Sequence, residues 1–412
     1  MSLPPFSNPF RPGAGHPPPY LAGRTRELAE FRRLLKQDPV LENLVLTGLR
    51  GVGKTVLLDT FKPLAIDAGW AWVGTDLSES SAVTEETIAT RLMTDLSRVT
   101  SSVVIDQSLQ RGVGFHPDQH SIDHRLDHHA LRAIYDSTPG LVADKLKRVL
   151  EVTWALLSQT GKRGVIFAYD EAQTISDHPG KDQYPLALLL DVFQSIQKKP
   201  LPYMLVMTGL PTLFPKLVAA RTFAERMFRV VFLDRLDEAE SREAITKPLA
   251  NPGCPVKFGQ ATEDLVIAAS DGYPYFIQFV CRELYDTLLQ SPQHEWDPKH
   301  PLDTILPKLD SDFFAGRWAR ATDRQRELLE VIASLESADD EFSLQEVVEE
   351  SKRSLSKPFS PSHANQMLLA LSESGLVYKN RHGRYSLAVP LLGQYIRRQL
   401  AQRTVREQRR RS

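Results

Sequence analysis

The segment at residues 48–55, Gly-Leu-Arg-Gly-Val-Gly-Lys-Thr, is the feature that most constrains how this chain can fold. Its spacing, G-x-x-x-x-G-K-[S/T], is typical of a phosphate-binding loop only where a strand precedes it and a helix follows. Both neighbours fit, because residues 43–47 are a short apolar run and residues 56–61 have helical spacing. The alternative is a glycine-rich turn that ends in Lys-Thr by chance. The sequence therefore predicts a strand-loop-helix unit that binds phosphate.

The residue types of this loop suit an anionic ligand. Glycines let the backbone curl so that several N–H groups point at one anion, and the dipole of the following helix favours that anion. Lys54 is expected to reach the β- and γ-phosphates of a nucleotide, and the Thr55 hydroxyl is expected to bind Mg²⁺. The nucleotide contacts predicted in this region are Gly48, Arg50, Gly51, Val52, Gly53, Lys54, Thr55 and Val56.

Length, charge and cysteine content limit the classes of protein that fit. A chain of 412 residues is long for one core and suggests two or three domains. The formal charge of −1 gives no overall attraction to nucleic acid or to an anionic membrane, so such a partner needs a local basic patch. Cys254 and Cys281 are too few for a disulfide framework, and we expect buried thiols. No apolar run approaches the roughly eighteen residues of a membrane span. We expect a cytoplasmic protein with no membrane partner.

Strand-like and helix-like segments alternate along the first half of the chain. This alternation predicts an α/β fold of the P-loop NTPase class, with a parallel sheet sandwiched by helices. A proline-rich lead-in at 4–19 precedes it and is expected to drape over the first domain. The predicted strands are 43–47, 71–76, 164–169, 203–208 and 228–233.

Beyond Asp234 the pattern is helical, then mixed. A capping box at Asp237, an N-cap at Thr262 and a helix start at Pro274 predict a small helical domain. Caps at Thr322, Ser343 and Ser360 begin three further helices, and two short strands follow Gly375, which predicts a winged helix and then a basic tail. Thr84 is a predicted N-cap in the first half of the chain. The predicted domains are 1–20 (lead-in), 21–234 (phosphate-loop domain), 235–310 (small helical domain), 311–400 (winged helix) and 401–412 (basic tail).

Polar residues follow two of the buried strands. Asp170 and Glu171 end the strand at 164–169, and Thr208 ends the next one. Because ligands bind at the carboxyl ends of parallel strands, these side chains are expected near the phosphate loop. Asp170 is predicted to hold Mg²⁺, Glu171 to act as general base on water, and Thr208 to contact the γ-phosphate or that water. The alternative is a helix-capping acidic pair and a turn threonine.

Arginines matter where negative charge develops on a transferred phosphoryl group. The segment before the last predicted strand has three, at positions 221, 226 and 229. Arg226 is the preferred candidate for an arginine that acts on a neighbouring protomer, which implies a homo-oligomer. The alternative is a solvated or salt-bridged surface helix.

The order of these motifs resembles that of the AAA+/STAND ATPases, in particular the bacterial and archaeal branch related to replication initiators. The resemblance covers nearly all of the chain after Pro19. It implies ATP as the nucleotide, contacts from Leu21, Arg24 and Pro274, and a lid and winged helix that move with nucleotide state. The matching segments are Leu21-Ala-Gly-Arg24-x-x-Glu27-Leu28, the loop at 48–55, Asp170-Glu171-Ala-Gln173, Thr208-Gly209, Phe-Ala-Glu-Arg226 and Gly272-Tyr-Pro274.

The sequence departs from those families at two places. STAND proteins often have an arginine after the hydroxyl at the strand end, where this chain has Gly209-Leu210. Initiator-type ATPases have a lid arginine near the position of Tyr275, and none occurs there. Slow hydrolysis, or a partner that supplies positive charge, is therefore expected.

A histidine series offers a further hypothesis. His116, His120, His124 and His128 recur every four residues, with His129 adjacent, which would stack imidazoles on one face of a helix and suit zinc or nickel. Nearby glycines and a proline favour an irregular loop instead. Both interpretations stay open.

Three functions remain compatible with the sequence. The first is an ATP-hydrolysing switch that repositions the winged helix. The second is a regulator that binds double-stranded DNA through the wing and the tail, with nucleotide as a structural or gating ligand; the third predicted helix lacks Lys and Arg, which counts against it. The third is a scaffold that recruits a partner protein through the C-terminal domain.

Overall fold

The chain forms two compact units that do not follow its linear order. The sheet unit contains Thr25–Thr47 and Leu57–Phe232, and the C-terminal unit contains Met1–Arg24, Gly48–Val56 and Leu233–Ser412. The computed structural model describes residues 7–13, 15–77, 84–111, 119–290, 302–381 and 383–411, with backbone alone at 105–111, 119–124, 381 and 404–411. None of the helices in this described part combines the length and apolarity that a bilayer crossing needs.

A five-stranded parallel sheet organises the sheet unit. Its order is β2-β5-β6-β1-β7, with helices covering the strands, as the alternating pattern predicts. The described strands are β1 (Asn43–Thr47), β2 (Trp70–Asp76), β3 (Val104–Arg111), β4 (Gln119–Arg125), β5 (Gly164–Asp170), β6 (Tyr203–Gly209) and β7 (Phe228–Phe232). The described helices are α1 (Thr25–Leu34), α2 (Lys54–Asp67), α3 (Glu85–Thr100), α4 (His128–Ser137), α5 (Val142–Leu157), α6 (Pro185–Lys198), α7 (Leu213–Ala220) and α8 (Ala224–Met227).

The three central strands β5, β6 and β1 are buried along their whole length. Burial on both faces explains why they read as continuous apolar runs rather than alternating ones. Leu46 of β1 is paired with Thr208 of β6, and Asp76 of β2 with Asp170 of β5. The register therefore brings the carboxyl ends of these strands to one edge of the sheet.

The pairing of β2 with β5 depends on a glycine. Gly74 has φ +132°, and a Cβ built there would lie 1.8 Å from the carbonyl oxygen of Ala168. No other residue fits this approach without moving the backbone.

The C-terminal unit is built from helices and a small antiparallel sheet of order β8-β10-β9. One buried cluster spans it, in which the rings of Phe314 and Tyr395 stack at 5.1 Å. Its described helices are α9 (Glu238–Leu249), α10 (Gln260–Ser270), α11 (Pro274–Gln290), α12 (Leu302–Leu309), α13 (Gly316–Arg320), α14 (Asp323–Ser334), α15 (Leu344–Ser354), α16 (Pro361–Glu373) and α17 (Leu392–Arg411). Its described strands are β8 (Phe342–Ser343), β9 (Val377–Arg381) and β10 (Arg384–Leu387).

Most of the predicted caps do precede a helix. Side-chain capping bonds occur at Thr84, Asp237, Thr322 and Ser343. The cap predicted at Thr262 is wrong: α10 begins at Gln260 after Gly259, whose backbone is extended, and Thr262 is buried in the first turn. An N-cap needs that extended backbone, which Thr262 lacks.

Two other segments differ from expectation. The predicted irregular loop around the histidines contains a hairpin of β3 and β4, although His116 lies outside the described residues. Residues 401–411, predicted as a tail, continue helix α17, since Leu392, Tyr395 and Ile396 give it a buried face. The turn residue His382 lies outside the described residues.

The proline-rich lead-in, which is predicted to drape over the first domain, packs within the C-terminal unit. Phe10 is 2% exposed within the C-terminal unit's core, where its ring stacks on Phe258 at 6.1 Å. The side-chain amide of Asn8 donates to the backbone oxygen of Arg282 at 3.0 Å and to Asp286 Oδ1 at 2.8 Å. The segment is thereby fixed to helix α11.

Candidate functional site

The glycine-rich segment forms a tight loop that ends at the first residue of α2. Gly51 and Gly53 have φ +83° and +92°, the left-handed region that favours glycine. Lys54 is buried, and its ammonium group donates to the backbone oxygens of Gly48 and Leu49, each at 2.9 Å. A loop of this shape at a helix N-terminus fits a phosphate group.

A buried arginine, Arg24, is hydrogen-bonded to the backbone of the loop. One Nη of Arg24 donates to the backbone oxygen of Val52 at 3.0 Å and to that of Asp234 at 2.8 Å. The side chain is 5% exposed. Arg24 thus ties the loop to the segment that enters α9, a positioning contact that the sequence did not predict.

A cavity of about 260 Å³ in the C-terminal unit opens beside the loop. It brings together several predicted nucleotide contacts that are far apart in the sequence, while Gly48, Lys54 and Thr55 do not line it. The predicted residues on its wall are Leu21, Arg24, Arg50, Gly51, Val52, Gly53, Val56 and Pro274. The wall also includes residues that sequence reasoning missed, namely Arg11, His16, Tyr275, Gln278, Phe313 and Arg317.

The second group of predicted residues lies at the carboxyl edge of the sheet. Asp170 is 4% exposed, and its Oδ1 accepts hydrogen bonds from the Glu171 amide at 2.8 Å and from the Thr208 hydroxyl. Thr208 is fully buried. In this structure the Thr208 hydroxyl therefore contacts the carboxylate that was predicted to hold the metal.

Glu171 is held in an unusual conformation. Its φ and ψ are +50° and 34°, left-handed values that are uncommon for a residue with a side chain. The Gln173 amide donates to the Glu171 carboxylate, while Gln173 Oε1 accepts from the amide of Leu210 at 3.1 Å. Gln173 therefore links Glu171 to the residue that follows β6.

Ionisable groups near these carboxylates are perturbed by burial. Burial, followed by the charge of Asp170, raises the pKa of Asp59 above its usual range. Burial lowers the pKa of Lys216, whose ammonium donates to the backbone oxygen of Gln173 at 2.5 Å. Ionisable groups whose pKa is shifted by their surroundings are common at functional sites. Neither Asp59 nor Lys216 stood out in the sequence, because a single charge on an amphipathic helix is usually solvated.

The three candidate arginines have different partners. Arg221 pairs with Asp191 at 2.7 Å, and Arg229 pairs with Glu30 at 2.7 Å. Arg226 is exposed in α8, and within the described part of the chain no acidic group lies within salt-bridge distance of it. It lines a separate groove of the sheet unit, beside Leu41 and Phe223.

Comparison with family models decides what the loop and the strand ends belong to. Residues 20–213 match the model described as "AAA ATPase domain", and this span contains the loop, Asp170 and Thr208. The chain carries an AAA ATPase domain. The predicted P-loop ATPase of the AAA+ type is confirmed. Residues 311–396 match a model described as "Domain of unknown function (DUF8462)". A comparison with curated proteins gives no match.

Solved structures show the same fold beyond the AAA ATPase domain. A Walker-type ATPase of Pyrococcus abyssi is 16% identical, with a TM-score of 0.58 over 92% of this chain and 96% of that one. The ORC2 protein of Aeropyrum pernix in its ADP form is 13% identical, with a TM-score of 0.55 over 95% and 98% of the two chains. At this identity the similarity concerns the fold alone.

The histidine hypothesis gains no support from the described residues, among which no group of three or more His, Cys, Asp or Glu side chains could hold a metal ion. The side chains of His120 and His124 are not among those described. Cys254 and Cys281 are buried free thiols, as expected, and burial raises the pKa of Cys281 well above its usual range.

Proposed function

We propose that the protein is an ATP-operated switch of the AAA+/STAND type, which hydrolyses Mg-ATP and repositions a C-terminal winged helix as its nucleotide state changes. The observation that carries this proposal is the cavity beside the phosphate loop. Its wall combines loop residues with Leu21 before the loop, Pro274 at the start of α11 and Phe313 beyond α12. A nucleotide bound there would contact the AAA ATPase domain through the loop and Leu21, and the C-terminal helices through Pro274 and Phe313, so its loss removes contacts of both.

In this proposal each predicted site residue has a role. The loop amides and Lys54 bind the phosphates, while Leu21, Arg24 and Pro274 border the base. The loop begins directly after β1, whose carboxyl end lies at the same sheet edge as that of β5. The proposal also places the boundary between ATPase domain and lid at 234/235, between lid and winged helix at 310/311, and between winged helix and basic tail at 400/401.

Hard oxygen ligands support a site for Mg²⁺. Thr55 in the first turn of α2 and the buried carboxylate of Asp170 offer a hydroxyl and a carboxylate, the groups that Mg²⁺ prefers. Mg²⁺ would neutralise charge on the β- and γ-phosphates. Glu171 removes a proton from the attacking water, and Thr208 positions that water or the γ-phosphate. The exposed Arg226 acts on the nucleotide of a neighbouring protomer.

Two substitutions test the switch. We expect Glu171→Gln to abolish most Mg-dependent ATP turnover while ATP affinity survives, since the amide cannot accept the proton of water. We expect Lys54→Ala to lose ATP binding. Glu225→Gln, at an exposed position of α8, is the matched control and should hydrolyse ATP like the parent. Parent-like turnover in Glu171→Gln rules out Glu171 as the base.

A second candidate function is DNA binding, and it is favoured by two observations on the C-terminal unit. Ser362, Asn365 and Gln366 are exposed on α16, where they can reach base edges. Helix α17 carries a run of arginines toward its end. Against this, Arg397 and Arg403 already pair with Asp339 and Glu330, each at 2.7 Å.

Titration of labelled duplex DNA at two salt concentrations distinguishes these functions. If DNA is a ligand, affinity falls as salt rises and falls further when residues 401–412 are removed. Absence of binding at both salt concentrations leaves the switch, or a scaffold for a partner protein, as the function of the C-terminal domain.

A further inference from the structure

Residues 311–396, called the C-terminal domain below, contribute an arginine to the wall of the cavity beside the phosphate loop. Arg317 lies in α13, within the segment that matches the domain of unknown function. It lines the cavity together with Arg50, a residue of the loop itself. Both belong to the C-terminal unit, although 267 positions separate them in the numbering, from 50 to 317.

Aromatic contacts fix the direction of the Arg317 side chain. Its guanidinium stacks on the ring of Phe313 at 4.2 Å from the ring centre and donates to the Phe313 backbone oxygen. The Phe313 ring lies 5.1 Å from the ring of Tyr275, whose backbone amide donates to the oxygen of Gly51 at 3.1 Å. A continuous series of contacts therefore runs from Arg317 to the phosphate loop.

The two arginines form an uncompensated positive pair. Burial, and then the charge of Arg50, lower the pKa of Arg317, so the two guanidinium groups are close enough to repel each other. Among the described residues neither has a salt bridge, whereas Arg324 and Arg326 in the following helix each pair with an acid. Two like charges on the wall of one cavity are costly unless an anion binds between them.

A second segment of the C-terminal domain also approaches Arg50. Gly375, just after α16, has φ +69°, and a Cβ built there would lie 3.3 Å from Arg50 Nη2. The Arg50 side chain is thus flanked by this domain. Movement of the domain necessarily changes the surroundings of Arg50.

We propose that Arg317 and Arg50 together bind the terminal phosphate groups of the nucleotide, so that the domain of unknown function senses directly whether those phosphates are present. This inference rests on the proposed function, because it takes the cavity to be the nucleotide site. A guanidinium donates charge-assisted hydrogen bonds to phosphate oxygens in a planar fork, which suits this ligand better than any neutral group. Loss of the terminal phosphate leaves the two charges facing each other again and favours separation of the domain from the loop.

Binding of ATP, ADP and adenosine to single variants tests the inference by calorimetry. We expect Arg317→Met to weaken ATP binding by roughly 10-fold or more, from the loss of a charged hydrogen bond. Binding of ADP should weaken less, and binding of adenosine should not change. Arg50→Met should show the same order, and Arg317→Lys should restore part of the ATP affinity. Arg320→Met, at an exposed position on the same helix and away from the cavity wall, is the matched control.

Thermal unfolding without ligand shows whether Arg317→Met weakens ATP binding only because it destabilises the fold. Because Arg317→Met removes a repulsion and keeps an apolar stem on Phe313, its ligand-free Tm should equal or exceed that of the parent, while the rise in Tm on adding ATP becomes smaller. Two results for Arg317→Met contradict the inference: equal losses of ATP and adenosine affinity, or an ATP affinity like that of the parent. If Lys54→Ala still abolishes nucleotide binding, the proposed function stands and only the inference is wrong. A parent protein that binds no nucleotide overturns the proposed function as well.

Discussion

Gln173 shows how a residue outside the predicted catalytic set can govern it. Its amide donates to the carboxylate of Glu171, and its oxygen accepts from the amide of Leu210. A carboxylate held in this way keeps one orientation, at a residue whose backbone already lies in the left-handed region. Gln173 therefore acts as a positioning residue, through Glu171.

We expect Gln173→Leu to lower kcat for ATP by about 10-fold or more, because a misplaced general base loses most of its contribution. The KM for ATP should change little, since Gln173 does not line the cavity. Steady-state kinetics give kcat and KM for ATP. The control is Gln159→Leu, at an exposed glutamine of the sheet unit. A change confined to KM contradicts the positioning role.

At the scale of elements, the sequence predicted those features that depend on neighbouring residues. The capping boxes at Asp237, Thr322 and Ser343 were read correctly, because the cap and its partner lie three residues apart. The hairpin of β3 and β4 was missed, since the nearby glycines and proline favoured an irregular loop. Helix α17 was missed beyond residue 400, because the sequence there is almost entirely polar; the buried residues described for this helix lie in its earlier turns.

The close approach of β2 and β5 gives a prediction about the sheet. Gly74→Ala forces a Cβ against the Ala168 oxygen at a backbone conformation that L residues rarely adopt. We expect the free energy of unfolding to fall by about 2–3 kcal/mol. Gly180→Ala is the control, because a Cβ there meets no atom within 4 Å. Denaturant unfolding of both variants gives the comparison, and equal stability of the two contradicts the strand register.

The capping box of α15 gives a pH dependence. Hydrogen bonds from Ser343, followed by the charge of Arg384, hold the pKa of Glu346 below its ordinary value. A lowered pKa in the folded state adds stability above the unfolded pKa, and this stability is lost as pH falls through the folded value. We therefore expect Glu346→Gln to lower Tm by a few degrees at most near pH 7, and this difference from the parent to disappear as pH falls through the lowered folded pKa of Glu346. Thermal unfolding from pH 3 to 8, with the exposed Glu349→Gln as control, checks the sign.

At the scale of the whole molecule, the candidate site depends on segments that the sequence keeps far apart. Leu21, Arg50 and Pro274 were each predicted as contacts, and they do share one cavity. Arg11, His16 and Arg317 line the same wall but could not be predicted, because no local pattern links a proline-rich segment or a short helix to the loop. The burial of Phe10 and the packing of the N-terminal segment on α11 depend on tertiary structure, which the spacing of apolar residues does not predict.

The anchored N-terminal segment gives the last prediction. Arg11 and His16 line the cavity, and the amide of Arg11 donates to Gln278 Oε1 at 3.1 Å, so the segment forms one wall of the proposed nucleotide site. Deletion of residues 1–19 removes this wall and also exposes the core that Phe10 covers. We expect nucleotide affinity to fall by roughly 10-fold or more, for adenosine as well as for ATP, because the lost contacts are not specific to phosphate. Deletion of residues 1–6 leaves every described wall residue in place and is the control. Fluorescence titration with both ligands measures the effect, and unchanged adenosine affinity in the longer deletion contradicts a role for this segment in binding.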